Sequence, residues 1–146
     1  MNRPAEAEEI VRESLEICGR IYQPNHQQIG FATHTLGRSL RAQNRHAEAC
    51  EQFAKSVAIV RSAFDDSHGF VATARMDLGI ELMELGRYAE AEPELLAACE
   101  ALDAAGKVGA STVECTRAIV RLYEAWDEAA IGRNRDKELL RSMSRS

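Results

Sequence analysis

Aromatic side chains make up only 5% of this 146-residue chain. That scarcity argues against a β-sandwich, whose strands draw on aromatic and β-branched residues, while abundant alanine favours helices packed through small contacts. No segment alternates apolar and polar residues as a half-buried strand does. No apolar run approaches the roughly 20 residues that span a bilayer. Met1 to Glu9 is polar and acidic where a secretory leader carries an apolar core, so a cytoplasmic protein is expected. An excess of basic charge is lacking too. The net charge is −5, and phosphate backbones repel such a surface, which makes nucleic acid a poor partner. Catalytic signatures are missing: no phosphate-cradling glycine loop, no GxSxG, no HExxH and no nucleophile with a partnered base. The expectation is no enzyme, no cofactor and no resident metal.

What is present is a phrase said three times: "AEAEEIV" from Ala5, "AEACEQF" from Ala47 and "AEAEPEL" from Ala89, at a constant interval of 42 residues. Leu36-Gly37 returns as Leu78-Gly79, Leu40 as Leu82, His26 as His68, and Arg45 as Arg87. A fixed period between 20 and 50 residues marks a stacked-repeat protein. Each period holds two apolar stripes at helical spacing. Ile29, Ala32, Leu36 and Leu40 are copied by Val71, Ala74, Leu78 and Leu82; Ala49, Phe53, Val57 and Val60 are echoed by Ala91, Leu95, Cys99 and Leu102 and anticipated by Ala7, Val11, Leu15 and Cys18. Turn chemistry separates them at 23–27, 42–46, 65–69, 84–88 and 104–110. The unit is therefore helix A, tight turn, helix B, longer turn. Ala7, Ala49 and Ala91 are small where helix B meets helix A, and Gly37 and Gly79 are small on helix A.

The reading is an all-α solenoid of antiparallel helix pairs in one domain, 1–146, with seven helices. A helix B over 4–22 opens it. Repeats over 28–64 and 69–104 follow, then a terminal helix A over 110–126 and a capping helix with basic tail over 128–142. In the third copy Arg121 stands where Gly37 and Gly79 stood, so that helix is expected to pack in a shifted register. The first helix has two stripes, Val11/Leu15/Cys18/Tyr22 and Ile10/Ile17/Ile21, and only one can pack on the helix that follows. The other predicts self-association through Ile10, Ile17 and Ile21, or a place at the end of a longer array.

Four cysteines without export signals are expected to be reduced thiols. The period assigns Cys18 and Cys99 to core positions, aligns Cys50 with Glu8 and Glu92 and hence with solvent, and aligns Cys115 with Phe31 and Thr73. His46 and Cys50 share a helix face at i, i+4, but zinc needs further ligands and no others converge by spacing. His26 and His68 occupy equivalent turns, where a polar side chain serves the free backbone groups of a helix start.

Leu78-Gly79, Leu82, "GRYAEAE" at 86–92, Leu95 and Ala98 resemble the tetratricopeptide repeat, in the 42-residue variety of kinesin light chains. The ending "RLYEAW" at 121–126 is similar to the last repeat in the C-terminal regions of many bacterial serine/threonine kinases. The resemblance implies a right-handed superhelix with helix A on the concave side, and a module that binds a peptide or partner surface there. The alternative it implies is a C-terminal regulatory or assembly segment of a larger bacterial signalling enzyme. On helix A the face opposite the core stripe is expected to line the groove: His34, Arg38 and Arg41, then Met76, Asp77, Ile80 and Met83, then Ala118, Leu122 and Trp126. A basic end and an apolar end suit a segment with an acidic group and apolar anchors. The lysine–asparagine clamp of chaperone-binding repeats and the helix-A asparagines of kinesin light chains are not matched here.

Overall fold

The computed structural model describes residues 3–106 and 109–145. It contains α1 (Pro4–Ile21), α2 (Gln27–Ala42), α3 (His46–Ala63), α4 (Gly69–Glu84), α5 (Tyr88–Ala104) and α6 (Ala110–Ser144), with no strand among the described residues. Each helix packs on the next in order, and the tightest pairs are the hairpins α2–α3 and α4–α5.

The repeat acts through its corners. His26 and His68 accept a bond from the backbone N–H of Gln28 and Phe70, each 3.2 Å, and so cap α2 and α4. Tyr22 and Phe64 stack on those rings at 4.1 and 4.0 Å. At the other end α2 and α4 stop on left-handed residues, Asn44 (φ 59°) and Gly86 (φ 74°), which turn the chain into α3 and α5.

Close approach within a pair depends on missing side chains. A Cβ on Gly37 would lie 2.7 Å from the Phe53 ring, and one on Gly79 would lie 2.6 Å from Leu95 Cγ. Ala49 and Ala91 are fully buried in the same seams, and Ser56 donates to the Gly30 carbonyl at 2.8 Å.

The last helix packs in a shifted register, as Arg121 predicts, but it departs from the sequence reading in the residues that register buries and in where the helix ends. Cys115, Ala118, Leu122 and Trp126 stand 44 residues beyond Val71, Ala74, Leu78 and Leu82, so the register is shifted by two. The buried members Cys115, Ala118 and Leu122 form its core stripe. Of the turn at 104–110, residues 107 and 108 lie outside the described residues. Second, the terminal helix and the capping helix are one continuous α6 of 35 residues, giving six helices among the described residues instead of seven. The shifted register puts Ala130 where Asn44 and Gly86 ended their helices. Alanine favours helix and resists the left-handed turn, so the chain runs on.

The cysteines differ as well. Cys99 and Cys115 are joined in a disulfide across α5 and α6, with Cα atoms 5.9 Å apart. The shift places Cys115 where Val71 stands one repeat earlier, opposite Cys99, which takes the place of Val57. Cys50 is buried instead of exposed. Its position faces the next inner helix: Glu8 there reaches Gln43 and Arg45, whereas Cys50 lies beside Leu78 and Leu82.

Candidate partner-binding face

The inner helices α2, α4 and α6 present one side of the stack, and the seam between α2 and α4 holds a buried ionic network. His34 Nε2 lies 2.7 Å from Asp77 Oδ2, and Arg41 Nη1 donates to Asp77 Oδ1 at 2.9 Å. A second Arg41 nitrogen donates to the Asp77 carbonyl at 3.1 Å, and Nε donates to Glu81 at 2.5 Å. His46 Nδ1 on α3 closes the chain on the other Glu81 oxygen at 2.7 Å. Glu81 is only 1% exposed, so those partners replace water for it. The Arg41 guanidinium also sits 4.7 Å over the Phe53 ring. Burial pushes the Asp77 carboxyl up, but the His34 hydrogen bond and the Arg41 charge outweigh it and hold the group below the usual carboxylate range.

Several residues expected to line a groove are therefore spent inside the stack. His34, Arg41 and Asp77 pair with one another, and Met76, Met83 and Leu122 are buried. Leu122 belongs to the α6 core stripe because of the two-residue shift. Trp126 is half-buried and stacks on Tyr88 at 6.1 Å. Of the expected residues, Arg38 is exposed and Ile80, like Trp126, is half-buried. Repeat equivalence in the shifted register adds Glu124, exposed on α6. Arg38, Ile80 and Glu124 form a row of one cation, one apolar side chain and one anion across the three inner helices. The steps of three and four through Cys115, Ala118, Leu122 and Trp126 were the sequence signal for that register. Arg38 also lines a cleft of about 500 Å³ between α1 and α2, with Thr35, Ser39 and Ile10.

Comparison with known proteins gives this geometry its context. The family model described as tetratricopeptide repeat matches residues 1–49 and 28–104. The chain belongs to the tetratricopeptide repeat family. Tetratricopeptide arrays are interaction scaffolds, and this chain is one by architecture. Two similar solved structures are crystal structures, one of a point variant, of a putative kinesin light chain with nearly identical TPR-like repeats from Podosopora anserina. The variant is 21% identical with a TM-score of 0.68, over 98% of this chain and 69% of that one. The other is 21% identical with a TM-score of 0.67, over 94% and 64%. At that identity the likeness is one of fold. No curated protein matches the sequence. No helix among the described residues is long and apolar enough to cross a membrane.

Proposed function

We propose that this tetratricopeptide array is a protein-interaction module whose inner-helix face holds a peptide or the surface of another protein. The observation that carries the reading is the row Arg38, Ile80 and Glu124. Arg38 and Glu124 are exposed and Ile80 keeps part of its surface while packing on the core, whereas their neighbours on the same helices are locked in the α2–α4 network or buried. Arg38 has no ion pair among the described residues, so a carboxylate on a partner can take it without breaking an internal bond. Ile80 sits mid-row, where a half-buried apolar side chain accepts an apolar anchor. The preferred partner is thus a segment with an acidic group toward α2 and an apolar residue at the centre. The network beneath holds α2 and α4 at fixed spacing, which spares ordering cost on binding.

Ile80→Glu tests this. Partners captured by the wild-type chain from its native extract are expected to be lost with Ile80→Glu, and retained by Leu96→Glu, a change at an exposed position of the outer helix α5. Equal helicity of the variants by circular dichroism secures the comparison. Retention of the same partners by Ile80→Glu refutes the inner face as the binding surface.

A further inference from the structure

Among the described residues the first and last helices each leave one face uncovered, in complementary ways. In both complete pairs the seam between helix A and helix B is closed. Ala49, Phe53, Ser56 and Val60 of α3 are fully buried against α2, and Ala91, Leu95, Ala98 and Leu102 of α5 are buried against α4. The equivalent residues of α1 are Ala7, Val11, Ser14 and Cys18. None of them is buried, and Ser14 is open to solvent where Ser56 is sealed. Beside them Ile17 is 55% exposed at the position of Ile59, which packs on Gly30. Among the described residues α1 is a helix B without its helix A.

The other end shows the inverse. On α4, Gly79 faces Leu95 of helix B, and Ala72, Met76 and Met83, at steps of three and four from it, are buried as well. In the shifted register their counterparts on α6 are Thr116, Val120, Tyr123 and Asp127, all exposed. Val120 is 51% and Tyr123 41% exposed. Because α6 runs straight past Ala130, no helix folds back over that face. Among the described residues α6 is a helix A without its helix B.

We propose that a second copy of this chain fills each vacancy, with α1 of one copy docking as the missing helix B on α6 of its neighbour. The bulk of the two faces is matched. Gly37 faces Phe53 and Gly79 faces Leu95, a bare position against a large one. Across the copies the same position pairs Tyr123 with Val11, a large residue against a small one. The charges match as well. Within the stack Arg41 meets Asp77 and Glu81. At the joint the Arg41 position is held by Asp127, and the Asp77 and Glu81 positions by Thr35 and Ser39 of the neighbour. Thr35 and Ser39 already donate to the Phe31 and Thr35 carbonyls, so in the α1–α2 cleft a carboxylate meets the Arg38 guanidinium beside the Arg3–Glu6 pair. Such a joint is head-to-tail. Each copy keeps one open face, and assembly continues beyond the dimer.

The inference goes beyond partner binding on the inner face. Arg38 serves both readings, but Ile17 and Val120 serve only the joint and Ile80 only the partner face, so either can fail alone. The test is sedimentation velocity of the 146-residue chain over a wide concentration range, with Ile17→Glu and Val120→Glu. Both sites are exposed, and circular dichroism verifies that the variants fold. The weight-average mass of the wild type is expected to rise with concentration past twice the 16.2 kDa monomer. Each variant alone is expected to remain monomeric. Their equimolar mixture is expected to form a dimer and stop there, since one supplies an intact α6 face and the other an intact α1 face. A wild type that stays monomeric overturns the proposal. So does a single variant that still associates, which points to a symmetric contact, or a mixture that fails to dimerise.

Discussion

Asp77 is the residue on which the inner helices turn. It accepts from Arg41, lies within hydrogen-bond distance of His34, and is mostly buried, and its pKa is lower in the folded chain than the ordinary value of 3.8. A carboxyl with a depressed folded pKa contributes stability that is present above its unfolded value and is lost as the pH falls toward the folded value. Asp77→Asn is therefore expected to cost about 1–3 kcal/mol at neutral pH, where it leaves the Arg41 guanidinium without its carboxylate acceptor. The difference from wild type is expected to narrow below pH 3.8 in urea titrations, and a difference independent of pH would contradict this account. The sequence pattern did not reveal the network, because it does not repeat: Thr35 and Ser39 occupy the equivalent positions on α2. The available hint was two carboxylates, Asp77 and Glu81, at i, i+4 on an otherwise apolar helix. At the cysteines, thiol titration of the denatured, unreduced chain is expected to find two free thiols, Cys18 and Cys50. A count of four would remove the Cys99–Cys115 link.

At the scale of elements the pairs are held at the spacing that glycine permits. Gly79→Ala sets a methyl 2.6 Å from Leu95 Cγ in a sealed seam and is expected to cost about 1–3 kcal/mol by overpacking. Adding Leu95→Ala should relieve part of that cost, so the double variant is expected to be more stable than the two single effects predict. Strict additivity in chemical denaturation would count against the close approach. This seam was legible in the sequence, since Gly37 and Gly79 recur opposite the alanine phrase. The end of the third inner helix was not. A period of 42 places the A-to-B corner by counting, but the two-residue shift moves Ala130 to the corner, and only the absence of a left-handed residue there marks the continuation. The same shift moved Leu122 from an expected lining position into the core and brought Glu124 to the surface. It also set Cys115 opposite Cys99.

Over the whole molecule, tetratricopeptide membership accounts for a stack with an inner and an outer side, and the ionic seam decides what the inner side can offer. Of the residues that the pattern marked as lining, His34, Arg41 and Asp77 hold α2 to α4 and Met76, Met83 and Leu122 are buried, which leaves Arg38, Ile80 and Glu124 as the accessible row. Burial separated these roles, and periodicity alone does not report it. The most direct measurement is photocrosslinking from a reactive side chain placed at position 80 or at position 96, with native extract as the source of partners. The account predicts adducts from position 80 on the inner face and none from position 96 on the outer helix. Adducts from position 96 with none from position 80 would contradict it and move recognition to the outer surface.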